Sequence, residues 1–242
     1  AGWSEVALLE RKLFNLANEV DDPISKKHIK NRDNLLLDGA IGTQIYQQGV
    51  FINRCFEETC LNNKDLVIKI HREYINAGSM VITTNSWAAN RLKLASFGLD
   101  EKILQINTSA VDLAKKVSAG KQWVAGSVGP LGKLIEPYGK ISYEDSKDIF
   151  QEQIKILINS GVDLITLETF INPMEIKQAI LAVRSIDKSI PIIAFLTKVD
   201  DYFNKKQLNE IIDINTKLPI DAFGLNCSLG PQLTLKCLEK IY

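Results

Sequence analysis

The sequence predicts an α/β fold built as a (β/α)8 TIM barrel, and three observations lead there. Short β-rich runs alternate with longer stretches at helical spacing, which is the pattern of parallel strands joined by crossover helices. The short runs are apolar nearly throughout, as strands covered on both faces are. Polar or special residues end nearly every run, and in a barrel those ends converge on one face. A doubly wound open sheet is the competing architecture. It would spread the ends along a line, and "LLLDGAIGT" lacks the G-x-G-x-x-G turn of a dinucleotide-binding sheet, with no helix in the required register.

In chain order, "AGWSEVALLERKLFNLANEV" puts Trp3, Val6, Leu9, Leu13 and Leu16 on one face. This predicts an extra N-terminal helix that docks on the domain or holds a partner. "KKHIKNR" then reads as a solvated linker, so residues 1–33 form an extension and residues 34–242 the barrel domain. Strands are expected at 34–39, 79–85, 122–127, 163–169, 191–197 and 221–226. Their ends carry Asp38-Gly39, Thr84-Asn85, Gly126-Ser127, Glu168-Thr169, Thr197 and Asn226-Cys227. Helices are expected at 65–77, 87–97, 101–118, 143–160, 173–186, 206–216 and 231–241. Pro173 suits a helix start, and Gly78 and Gly161 suit left-handed caps. A barrel needs eight β/α units and about six are legible. The expectation is a barrel represented without its C-terminal end, as part of a longer polypeptide.

Charge excludes some classes of partner. Lys plus Arg and Asp plus Glu both number 29, so nothing global draws the chain to nucleic acid or an acidic membrane. No apolar run is long enough to span a bilayer, and the N-terminal stretch has no apolar signal core. Four cysteines without a secretion signal point to a reducing, cytoplasmic setting.

The strand ends carry the candidate chemistry. Glu168 closes an apolar strand, where an unpartnered carboxylate is costly. It reads either as half of a structural ion pair or as the receptor for a cationic group such as an amino acid's ammonium. Asp38 is similar, and Gly39 beside it permits close backbone approach. His28 and His71 are the only histidines and neither stands at a strand end, so a Ser-His or Cys-His pair is not available. Cys227 is the strand-end thiol. It reads as a buried apolar cysteine, a nucleophile or a zinc ligand.

Five segments occur in order: "LLLDGAIGT", "IHREYINAGSMVITTNSWAANRLKLASFGL", "VAGSVGPLG", "GVDLITLET" and "GLNCSLGP". Together, over residues 34–242, they resemble the homocysteine-binding domain of the homocysteine S-methyltransferase family. "NRCFEETC" followed by "NRLKLASFGL" is most similar to the bacterial type fused to a methylenetetrahydrofolate reductase. The resemblance implies a (β/α)8 barrel that transfers a methyl group from a small-molecule donor to homocysteine, forming methionine. It implies zinc held by three cysteines, the first matching Cys227 and the other two an adjacent pair after the last strand. No Cys-Cys pair stands in this sequence, and Cys55, Cys60 and Cys237 do not match those positions, so the site is incomplete here and the chain alone is expected to be inactive. It also implies a homocysteine pocket lined by Asp38, Gly39, Thr43, Asn85, Glu168 and Asn226. Glu168 and Asp38 would take the amino group. A downstream folate-binding or reductase domain of the same polypeptide is the further partner implied. "KVDDYFNKKQ" after the fifth strand departs from the Gly- and Thr-rich loop of the family. The alternative is a non-catalytic barrel relative, acting as a structural or assembly subunit with its zinc site lost. An aldolase-like barrel is disfavoured because no lysine ends a strand; Lys198 lies one residue beyond the fifth.

Overall fold

A computed structural model of the chain describes residues 35–197, 205–227 and 230–239. The expected N-terminal helix, the basic linker and most of "KVDDYFNKKQ" lie outside the described residues. Five strands form one sheet: β1 (Val81–Thr83), β2 (Trp123–Val128), β3 (Leu164–Phe170), β4 (Ile192–Leu196) and β5 (Ala222–Leu225). Every neighbouring pair is parallel, and the order β1-β2-β3-β4-β5 follows the sequence without reversal. A doubly wound sheet reverses its strand order, so this arrangement is that of part of a (β/α)8 barrel.

The helices are α1 (Ile41–Gln47), α2 (Thr59–Asn62), α3 (Lys64–Asn76), α4 (Arg91–Ala95), α5 (Ile103–Ser118), α6 (Tyr143–Asn159), α7 (Pro173–Ile186), α8 (Lys205–Lys217) and α9 (Pro231–Leu238). Two starts have clear causes. Ser142 Oγ accepts from the Asp145 N–H at the head of α6, and Asn172 Oδ1 accepts from the Met174 N–H, with Pro173 in the first turn of α7.

Three expectations need correction. The strand expected at 34–39 shrinks to a single parallel bridge, Leu37 to Val81. Beyond it the Asp38 carboxylate, rather than a backbone carbonyl, takes the Thr83 N–H at 2.8 Å, and the ladder stops. A helix, α1, follows directly at Ile41, where none was expected. Ile41 and Ile45 are one turn apart and pack with Ile70 of α3. The helix expected from residue 87 starts only at Arg91, because Asn90 Oδ1 caps it through the Lys93 N–H at 3.0 Å. Residues 87–89 are thereby left as a turn beside the strand ends.

Strand alternation divides the core. Ile82, Val124, Ile165, Leu167, Ile192, Ala194, Phe223 and Leu225 face the helices and join the main cluster with Val111, Phe150, Ile154, Ile180 and Val183. The opposite face buries Leu37, Val81, Ala125, Leu164, Ile193, Phe195 and Ala222 in a separate cluster. Along that second face, composition changes with height. Val81 gives way to Thr83, Ala125 to Ser127, and Leu164 to Thr166 and then Glu168. Phe195 gives way to Thr197, and Ala222 leads through Gly224 to Asn226. The inner face is apolar at the strand starts and polar at the strand ends.

The strand starts are pinned instead by carboxylates. Asp163 Oδ2 accepts from the Val124 N–H at 2.7 Å, and Asp221 Oδ2 from the Ile192 N–H at 2.8 Å. Arg184 of α7 joins Asp221 at 3.2 Å and donates to the carbonyls of Pro219 (2.8 Å) and Ile190 (2.6 Å). Burial lowers the pKa of this guanidinium, and the opposing charges of Asp221 and Asp187 offset only part of that.

His71 sits on α3, fully buried, and neither ring nitrogen has a hydrogen-bond partner among the described residues. Burial pushes its pKa down from 6.5 to about 4. The unfolded chain therefore takes up this proton first as the pH falls. His71 costs nothing above about pH 6.5, and stability is lost progressively as the pH drops toward about 4. The full loss is about 3 kcal/mol for this residue. Urea unfolding across that range is expected to show this slope, and a His71→Leu variant to flatten it. An equal slope in the variant would assign the acid sensitivity elsewhere.

Candidate functional site

The site is built around an irregular end of β3. Its register with β4 shifts between Leu167 and Phe170, a bulge, and Thr169 takes φ +65° within it. A β-branched residue at positive φ is a rare and costly conformation, which persists only where surrounding contacts hold it. Those contacts are present on both sides of one peptide unit. The Glu168 carbonyl accepts from Trp87 Nε1 at 3.1 Å. The N–H of the same peptide, that of Thr169, donates to Asn226 Oδ1 at 3.1 Å. Asn226 Nδ2 then donates to Thr169 Oγ1, also at 3.1 Å. Trp87 follows β1 and Asn226 follows β5, so two other strand ends clamp the end of β3.

The clamp brings three of the sequence-derived candidates together. The Glu168 carboxylate accepts from Thr166 Oγ1 at 2.6 Å, two residues earlier on the same inner face. Cys227 is exposed at φ +57°, with its sulfur 3.7 Å from Thr169 Oγ1. Glu168, Asn226 and Cys227 thus meet through Thr169. Sequence reasoning noted that threonine at a strand end and gave it no role. Its signal is weak, since only the backbone conformation marks it.

The remaining candidates stand differently. Asp38 is buried, and its carboxylate accepts from the Thr83 N–H and from Thr83 Oγ1 at 3.0 Å. At Gly39 a Cβ would sit 2.9 Å from the Tyr74 hydroxyl. Thr43 is exposed on α1. Asn85 is buried and turned toward the preceding loop, where Nδ2 donates to the Phe56 carbonyl (2.9 Å) and Thr59 Oγ1 (3.1 Å). Its neighbour Thr84 accepts from the Ser127 N–H at 3.0 Å, tying the ends of β1 and β2. A cavity of about 160 Å³ between α7 and α8, lined in part by Met174, Lys177, Asp213 and Lys217, belongs to the outer helical layer rather than to the strand ends.

The donor set for a metal is partial. Among the described residues no group of three His, Cys, Asp or Glu side chains converges. Cys55 and Cys60 are buried, and burial pushes both thiols up to about 12, so they remain protonated at neutral pH. Cys237 is buried in α9. Cys227 is the exposed thiol among the described cysteines, and it supplies a single sulfur where a structural or catalytic zinc takes three or four protein ligands.

The clamp makes a stability prediction. An Asn226→Ala substitution removes the acceptor of the Thr169 N–H and the donor to its hydroxyl, and is expected to cost about 2 kcal/mol. Denaturant midpoints measure this, and a change below about 0.5 kcal/mol would mean that Thr169 is held by something else.

Residues 35–242 match the model of a family described as homocysteine S-methyltransferase. The chain is similar to the methionine synthase of Mycobacterium tuberculosis, 26% identical over 212 residues, which is 80% of this chain and 18% of that protein. It is 25% identical to the methionine synthase of Mycobacterium leprae over the same shares. The chain therefore spans less than a fifth of the length of these curated relatives. Among solved structures, the metallated form of the homocysteine methyltransferase MmuM from Escherichia coli superposes with a TM-score of 0.74 at 23% identity, covering 88% of this chain and 81% of that one. The apo form of that protein gives 0.68 at the same identity, over 88% and 79%. Likeness at this identity speaks for the fold, while the family model covers all of the described residues: the chain belongs to the homocysteine S-methyltransferase family.

Proposed function

We propose that this chain is the homocysteine-binding part of a zinc-dependent methyltransferase that forms methionine from homocysteine and a small-molecule methyl donor. The observation that carries the reading is the meeting of Glu168 and Thr169, on the clamped end of β3, with Cys227, which follows β5. Homocysteine has an ammonium, a carboxylate and a thiol. In this reading the Glu168 carboxylate receives the ammonium, with Asp38 adding negative charge from the first strand end. The Thr169 hydroxyl and nearby backbone N–H groups serve the substrate carboxylate. The substrate thiol lies beside Cys227.

A free thiol at neutral pH is mostly protonated and attacks carbon poorly. Zinc bound beside Cys227 would supply the deprotonation, leaving a sulfur that can displace at a methyl carbon. Cys227 is one ligand in this reading, and the others lie outside the described residues. The protein residues hold the amino acid by its charged ends, so that the thiol is presented in one orientation, which is the larger part of bringing two reactants together. No helix among the described residues is long and apolar enough to cross a membrane, and a cytoplasmic setting is part of the proposal.

Metal analysis of the purified protein and of a Cys227→Ser variant tests the assignment. With one of its ligands in this chain, the wild type is expected to hold zinc weakly and the Cys227→Ser variant more weakly still, while a Glu168→Gln variant keeps the wild-type zinc affinity and binds homocysteine about tenfold more weakly. Zinc retained in Cys227→Ser would remove that residue from the site. A wild type that does not bind homocysteine would favour the non-catalytic reading.

A further inference from the structure

Trp87 has no assigned part in this chemistry, yet it is held from four directions. Its ring N–H donates to the Glu168 carbonyl at 3.1 Å. Its own carbonyl accepts from the Gly129 N–H at 2.9 Å. Its ring lies so close to Gly129 that a Cβ there would come within 2.4 Å of Nε1. The Lys93 ammonium rests over the ring, 3.6 Å from its centroid, in a cation–π contact. Lys93 in turn needs Gly132, where a Cβ would meet its side chain at 3.0 Å. The two glycines of "SVGPLG" thus clear the space for a tryptophan and a lysine that start on the β1 side.

The surroundings of Lys93 act on its charge in both directions, burial against it more strongly than the carboxylates for it. Glu57 and Glu175 favour its charge, while burial pushes the amine down to about 8. Both carboxylates are themselves anchored, Glu57 by the Ala88 N–H at 2.9 Å and Glu175 by the Leu131 N–H at 2.8 Å. Trp87 is 36% exposed, so filling a core is not what its indole is for. A phenylalanine would cover the same surface but could not donate to the Glu168 carbonyl.

We propose that Trp87, steadied by Lys93, is a positioning residue: it orients the Glu168–Thr169 peptide so that the Glu168 carboxylate meets the amino group of the bound amino acid. The proposal rests on the reading of Glu168 given under the proposed function. Loss of the indole N–H removes a donor to the Glu168 carbonyl and leaves the peptide, among the described residues, to the bonds from Asn226. Thr169 is then freer to leave its left-handed conformation, and the carboxylate before it turns with the chain.

The test compares homocysteine with 4-mercaptobutanoate, which keeps the thiol and carboxylate and lacks the amino group. Both are titrated calorimetrically into the wild type, Trp87→Phe and Lys93→Met, in zinc-containing buffer. The wild type is expected to prefer homocysteine, Trp87→Phe to lose about tenfold of that preference, and Lys93→Met about threefold. Equal weakening toward both ligands would mean that Trp87 is merely structural and would overturn the proposal. So would a Trp87→Phe protein with the wild-type preference. A wild type without preference would sink the reading of Glu168 and this proposal together, and is distinguishable because no variant is needed to see it. Should Trp87→Phe fail to fold, Lys93→Met, which leaves the indole in place, decides by the same ratio.

Discussion

One peptide unit, between Glu168 and Thr169, is held at its carbonyl by an indole from the end of β1 and at its N–H by an amide from the end of β5. The strand ladder would ordinarily supply those partners. Here a bulge withdraws the peptide from the ladder, and side chains replace it. A positive φ at a threonine costs on the order of 1–3 kcal/mol. A neutral hydrogen bond returns about 1 kcal/mol net, so the bonds from Trp87 and Asn226 together with the Asn226–Thr169 hydroxyl bond are of the size needed to hold it. The consequence is geometric: a carboxylate, a hydroxyl and a thiol from two different strands are brought to one place.

The two ends of the sheet divide the tasks. At the strand starts, Asp163 and Asp221 accept backbone N–H groups, and Arg184 ties a helix to the loop before β5. At the strand ends, polar side chains cross between strands and leave chemistry-bearing groups exposed. Stability at one rim and chemistry at the other is the usual division in barrels with parallel strands. The inner face follows it residue by residue, from Val81, Ala125 and Leu164 up to Thr83, Ser127 and Glu168.

Much of this was legible in the sequence, and the limits have physical causes. Short runs that are apolar nearly throughout, with polar ends, located the strands and the rim, because burial on both faces leaves little choice of residue. Glu168, Asn226 and Cys227 stand out as candidates for that reason. Trp87 was taken for the start of a helix, since "NSWAANRLKLASF" has no marker except Asn90 to say that the helix begins later. Asp38 was recognised as a strand-end carboxylate, but its bonds to Thr83 depend on a residue 45 positions away. Thr169 stands at a legible strand end but its role is not legible there: that comes from its backbone angle, which only the assembled rim imposes. Asn85 was read with the pocket, and the structure turns its amide toward Phe56 and Thr59.

Amide hydrogen exchange at Thr169 tests the clamp most directly. A residue at an irregular strand end, beside an exposed cysteine, would ordinarily exchange quickly. If Asn226 and Trp87 hold the peptide as described, the Thr169 N–H exchanges within about tenfold of the N–H groups in the middle of β3, such as that of Leu167. Exchange at the rate of an exposed loop would contradict the clamp, and with it the account of how Glu168 and Cys227 come to share one site.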